Sequence, residues 1–190
     1  MGLNHINKEA RRLVRWAGTR DPFRIARQLG IHVLFDNDFK SLKGMYKIIK
    51  RSRFIFINAN LTEGDQRTVC AHELGHDRFH RHFAKTGVLQ EFMLYDMRSK
   101  PEYEANIFAA ELLIDDNEIL ELTAEGLDIY QMAGELGEDM NLVLIKIDEL
   151  RKQGHDLRVP YRPQSDFLRC DGKLESKSQT SDAPMFRRRD

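Results

Sequence analysis

Apolar residues recur at helical spacing in KEARRLVRWAG (8–18), where Ala10, Leu13, Val14 and Ala17 share one face and Gly18 can end the helix. A second helix is predicted over 21–30, with Asp21 as N-cap and Pro22 at its first position. The period then changes. IHVLF (31–35), GMYKIIK (44–50) and RFIFIN (53–58) read as strands, the last two forming a hairpin about a basic turn. Helical spacing resumes after Thr62, an expected N-cap, and runs to residue 80. Residues 81–98 are mixed and predict an irregular connection with a short helix around 88–95. SKPEYEANIFAAELLI (99–114) is apolar nearly all round from Ala105 to Ile114, which predicts a buried helix. Further helices are expected at 116–123, 127–136 and 140–153. Residues 1–160 are therefore expected to form one domain. The polar, aperiodic residues 161–190 are expected to be a disordered tail.

Composition narrows the class. A hydrophobic content of 41% is enough for a core, while no run approaches the roughly 18 apolar residues that span a bilayer. The N-terminus has no apolar segment behind its charges, so no secretory signal is expected. Ile6 stands where a myristoylation motif needs Ser or Thr. Two cysteines, Cys70 and Cys170, make no disulfide framework, and a reducing cytoplasm is the expected location. The net charge of zero conceals a division: residues 1–53 hold 13 Lys and Arg against 4 Asp and Glu, and residues 54–160 hold 10 against 21. An acidic region of this kind is most simply a solvated face, although it also suits a cation and a basic protein substrate.

The candidate chemistry lies in AHELGH (71–76). On a helix His72 and His76 are one turn apart, so both imidazoles can reach one Zn²⁺, with Glu73 beside it as the base that takes a proton from water. A catalytic zinc needs a third protein ligand and an open position. His80 lies two turns from His72, about 12 Å along the axis, too far to share the ion. His82 has the spacing of a metzincin third histidine, but that pattern needs glycine at 79, where this chain has Phe79. Carboxylates on the 99–114 helix remain. Glu102 and Glu104 differ by about 200° around it, so both cannot face one metal. Ser99-Lys100-Pro101-Glu102 spells a capping box, which would occupy Glu102 and leave Glu104 as ligand. Glu111 shares a face with Glu104, as a second group behind the ligand or as a solvated residue. Cys70 falls on the far side of the helix from His72 and is expected in the core.

AHELGH followed by EYEANIFAAELLI resembles the ImmA/IrrE family of zinc metallopeptidases, and the stretch ending LIKIDELRKQG is similar to that family's last helices. The family often has proline soon after ELL, where this chain has IDDN. The resemblance implies one zinc per chain on His72, His76 and Glu104, with Glu73 catalytic. It also implies a cytoplasmic protease, often carried on phages or integrative elements, that cleaves a helix-turn-helix repressor and derepresses transcription. The expected fold is α+β and zincin-like, with a small, mostly antiparallel sheet packed on the HExxH helix and a helical C-terminal half. No membrane and no direct nucleic-acid binding are expected. The competing function is a DNA-binding regulator, since FRIARQLGIHV (23–33) and IYQMAGELGEDMNLVLIKI (129–147) have the cadence of a helix-turn-helix. A third is a non-catalytic protein that only holds metal. Tyr103 and His82 are candidates for stabilising the oxyanion by proximity alone.

Overall fold

The computed structural model describes residues 4–82 and 99–157. Three strands and seven helices form among them. They are α1 (Asn4–Ala17), α2 (Pro22–Gln28), β1 (Ile31–Asp36), β2 (Gly44–Ile49), β3 (Ser52–Asn58), α3 (Glu63–Phe79), α4 (Lys100–Leu113), α5 (Asp116–Ala124), α6 (Ile129–Leu136) and α7 (Met140–Lys152). The expected short helix at 88–95 and the tail at 161–190 lie outside the described residues. No helix among the described residues is long and apolar enough to cross a membrane.

The caps are largely those the sequence predicts. Asp21 accepts from the amides of Phe23 and Arg24, and Thr62 from that of Asp65. α1 begins four residues before the expected position, because Ile6 continues the buried stripe of Ala10 and Leu13.

The sheet is mixed rather than mostly antiparallel. β2 and β3 form the expected hairpin, with Ile49 opposite Ser52 and a two-residue turn, Lys50-Arg51, at φ 46° and 70°. That is the positive-φ pair a tight hairpin requires, filled here by residues that disfavour it. β1 joins the other side of β3 in parallel, from Ile31 opposite Arg53 to Asp36 opposite Asn58. The chain reverses twice between β1 and β3, so the two run the same way.

One face of the sheet, carrying Tyr46, Ile55 and Ile57, closes on α3. Behind α3 lies α4, which α1 and α7 also cover. From Glu104 to Leu113 every residue of α4 is buried. Its last turn would leave carbonyls unpaired in the interior. The Arg20 guanidinium donates to the carbonyls of Glu111, Leu112 and Ile114 at 3.2, 2.9 and 3.3 Å and pairs with Asp115, which caps α5.

Candidate metal centre

α3 and α4 touch where both carry small residues. A Cβ added to Gly75 would stand 3.0 Å from the Ala105 Cα, tighter than nearly all real Cβ contacts. Glycine at 75 therefore sets how near the helices approach, and so which side chains of α4 can reach His72 and His76.

They are Glu102 and Asn106, one turn apart on α4. Glu102 Oε2 lies 3.1 Å from His72 Nε2, and Oε1 lies 3.3 Å from His76 Nε2. The two Nε2 atoms are 3.0 Å apart. His72, His76 and Glu102 are 1%, 2% and 1% exposed, and they are the metal-competent cluster among the described residues. Asn106 Oδ1 accepts at 2.7 Å from His72 Nδ1, which turns Nε2 toward Glu102.

Glu104 is elsewhere. Its Oε2 lies 3.1 Å from His80 Nε2, and His80 Nδ1 lies 3.1 Å from His76 Nδ1. The expectation that Glu104 stands on the His72–His76 pair is corrected: Glu102 does. Ser99 does cap α4, accepting from the Glu102 amide at 3.4 Å, but the Glu102 carboxylate does not fold back. It is drawn to the imidazoles, a stronger attraction than one exposed amide.

Glu73 is 1% exposed and stands against the start of β2. A Cβ on Gly44 would collide with Val69 and lie 3.5 Å from Glu73 Oε1, so glycine there lets the strand sit close on α3. The Tyr46 main-chain N–H reaches the Glu73 carboxylate, while Oε2 has no hydrogen-bond partner among the described residues. Burial pushes the Glu73 carboxyl above its usual range, against the pull of His76 and His72. Burial acts on Glu102 too, but the imidazoles of His72 and His76 beside it outweigh the burial and hold that carboxyl well below its usual value. His80 is pushed down by burial and by His76, against Glu104.

The other candidates are placed as follows. His82 is exposed and outside the cluster. The Tyr103 hydroxyl accepts from Lys152 Nζ at 3.0 Å, which directs it toward α7. Glu111 is neither solvated nor near the histidines; it is buried 3.0 Å from Lys146. Cys70 is in the core, as expected. Sequence reasoning missed Asn106, although its i+4 relation to Glu102 was available. It also missed Asp77, which follows His76 and accepts from Tyr46 (2.8 Å), Arg53 and Arg81, anchoring α3 to β2 and β3.

Residues 26–147 match the Peptidase M78 family, described as the IrrE N-terminal-like domain. The chain belongs to this family. An M78 assignment makes it a member of a peptidase family, and the α+β architecture agrees. Among similar proteins is "Uncharacterized immunity region protein 2" of Bacillus phage phi105, 38% identical over 111 residues, which are 58% of this chain and 69% of that protein.

The M78 cluster suits a zinc ion. For bonds of about 2.0–2.1 Å, tetrahedral ligands stand about 3.3 Å apart. The separations here are 3.0, 3.1 and 3.3 Å. Among the described residues buried Glu102 Oε1 makes no hydrogen bond although His76 Nε2 faces it, as two lone pairs aimed at one cation would be.

Proposed function

We propose that this protein is a zinc-dependent endopeptidase holding one ion on His72, His76 and Glu102. The observation that carries the reading is the convergence of those three buried donors beside Glu73, whose Oε2 is unpartnered among the described residues. A bound zinc would supply Lewis acidity, polarising the scissile carbonyl and making water more acidic. Glu73 then takes the proton of the attacking water and returns it to the leaving amine. Asn106 keeps His72 Nε2 toward the ion. The site is deep, which excludes bulk water and strengthens each of these interactions.

The substrate we infer is a helix-turn-helix repressor, with transcription released on cleavage, in a cytoplasmic setting. The name of the phi105 relative, an immunity region protein, supports this, as does the acid-rich 54–160 region, whose charge suits a basic DNA-binding partner. The DNA-binding alternative loses its reading helices. Residues 31–36 are a strand, and α7 buries Leu142 through Ile147 in the core.

The test is purification without chelators, elemental analysis, and incubation with a helix-turn-helix repressor found encoded beside the gene. One zinc per chain and a defined cut are expected. Glu73→Gln should keep the metal and lose at least about a thousandfold in cleavage rate. Cleavage that survives Glu73→Gln, or a protein free of transition metal, refutes the reading.

A further inference from the structure

His80 and Glu104 are left over by the chemistry above, yet both are buried and aligned with it. To offer Nε2 to a cation, each imidazole must carry its proton on Nδ1, and that proton needs an acceptor. His72 has Asn106 Oδ1 at 2.7 Å. His76 Nδ1 faces a nitrogen, His80 Nδ1, at 3.1 Å. That atom accepts only if the His80 proton sits on its other nitrogen, Nε2. Glu104 Oε2, 3.1 Å from His80 Nε2, is the acceptor that holds it there.

We propose that Glu104 and His80 are positioning residues: a carboxylate–imidazole pair that fixes the tautomer of His76 and so arms its Nε2 for the metal. The inference rests on the metal-centre reading and deepens it. Each link determines the next. Glu104 takes the His80 Nε2 proton, His80 Nδ1 takes the His76 Nδ1 proton, and the His76 Nε2 lone pair is left to point at Glu102 and His72. Without the first link, His80 can carry its proton on Nδ1, two N–H groups then face each other, and His76 loses its acceptor. The α3 helix explains the spacing: 72, 76 and 80 stack one turn apart, so a single ridge carries two ligands and the support of the second.

The test combines zinc affinity, by competition with a chromophoric chelator, with long-range ¹H–¹⁵N spectra of the zinc-loaded protein. In the wild type at neutral pH the His80 proton should reside on Nε2, with Nδ1 left to accept from His76. His80→Leu fills the same space but accepts nothing; zinc affinity should fall by about 10–100-fold. His80→Asn places a carbonyl oxygen near the former Nδ1 and should restore most of that affinity. Glu104→Gln still accepts but without charge, so it should bind one zinc per chain with a smaller loss than His80→Leu. The proposal is overturned if His80→Leu binds zinc as the wild type does, if His80 carries its proton on Nδ1, or if Glu104→Gln empties the site while Glu102→Gln fills it. A wild type that binds no zinc overturns the metal centre as well, whereas a normal wild type with an unaffected His80→Leu overturns the relay alone.

Discussion

At the scale of single residues, Gly75 decides how the metal centre is assembled. Gly75→Ala must push α4 away by a few tenths of an ångström, because the nearest obstacle is the Ala105 main chain. The expected cost is about 1–3 kcal/mol in chemical denaturation, with zinc affinity falling as well. Ala105→Gly in the same chain should recover little, since the Ala105 Cα remains. The choice between Glu102 and Glu104 illustrates what a sequence hides. S-x-x-E is the pattern of a capping box and equally of a carboxylate at the start of a helix whose partner lies on another helix. Periodicity shows that the two glutamates differ in face, but not which face meets α3. That depends on the Gly75–Ala105 contact, visible in sequence only as two small residues. His72, Glu73 and His76 were legible because their geometry is internal to one helix. Asp115 offers a test of charge alone. Burial would raise its carboxyl, but the Asn117 amide and Arg20 outweigh this and hold it below its usual value. A group depressed on folding stabilises above its unfolded pKa, about 3.9, and the contribution fades as pH falls through the folded value. Asn caps a helix equally well. Asp115→Asn should therefore cost at most about 1 kcal/mol at neutral pH for this part-exposed pair, and the difference should shrink in denaturant titrations as the pH falls below the unfolded value of about 3.9.

Among the elements, the β2–β3 hairpin carries a turn that works against its own sequence. Lys50→Asn with Arg51→Gly supplies residues that accept positive φ, and should raise stability by about 1 kcal/mol without touching zinc content. A thermal melt unchanged or lowered by the pair would contradict that account. The hairpin was readable because its partners are adjacent in the chain. The parallel pairing of β1 was not, since nothing local tells a strand which edge it will join. The helices show the same division: α2, α5 and α6 announce their starts through Asp21, Asp115 and Asp128, each bonded to the amides ahead of it. What α4 packs against is distributed over α1, α3 and α7, and its uniformly apolar surface reports depth without naming neighbours.

For the whole molecule, the described core closes with Leu157, which is 6% exposed beyond the last helix. A chain ending at residue 160 should therefore retain a cooperative melt within a few degrees of the full chain and bind one zinc. Loss of either would assign the remaining residues a part in the fold. The three-sided burial of α4 also has a consequence in time. Glu102 leaves the ribosome roughly 50 residues before the end of α7, which at about 5–20 residues per second is a delay of about 3–10 seconds. During that interval the chelating side chains have been made while the helix that covers α4 has not. A loose set of nitrogen and oxygen donors ranks metals by affinity alone and favours copper over zinc. In the proposed centre, selection by shape would be complete only once α7 has docked on α4, so the supply of metal around the nascent chain would weigh, with the finished cavity, on which ion is bound first.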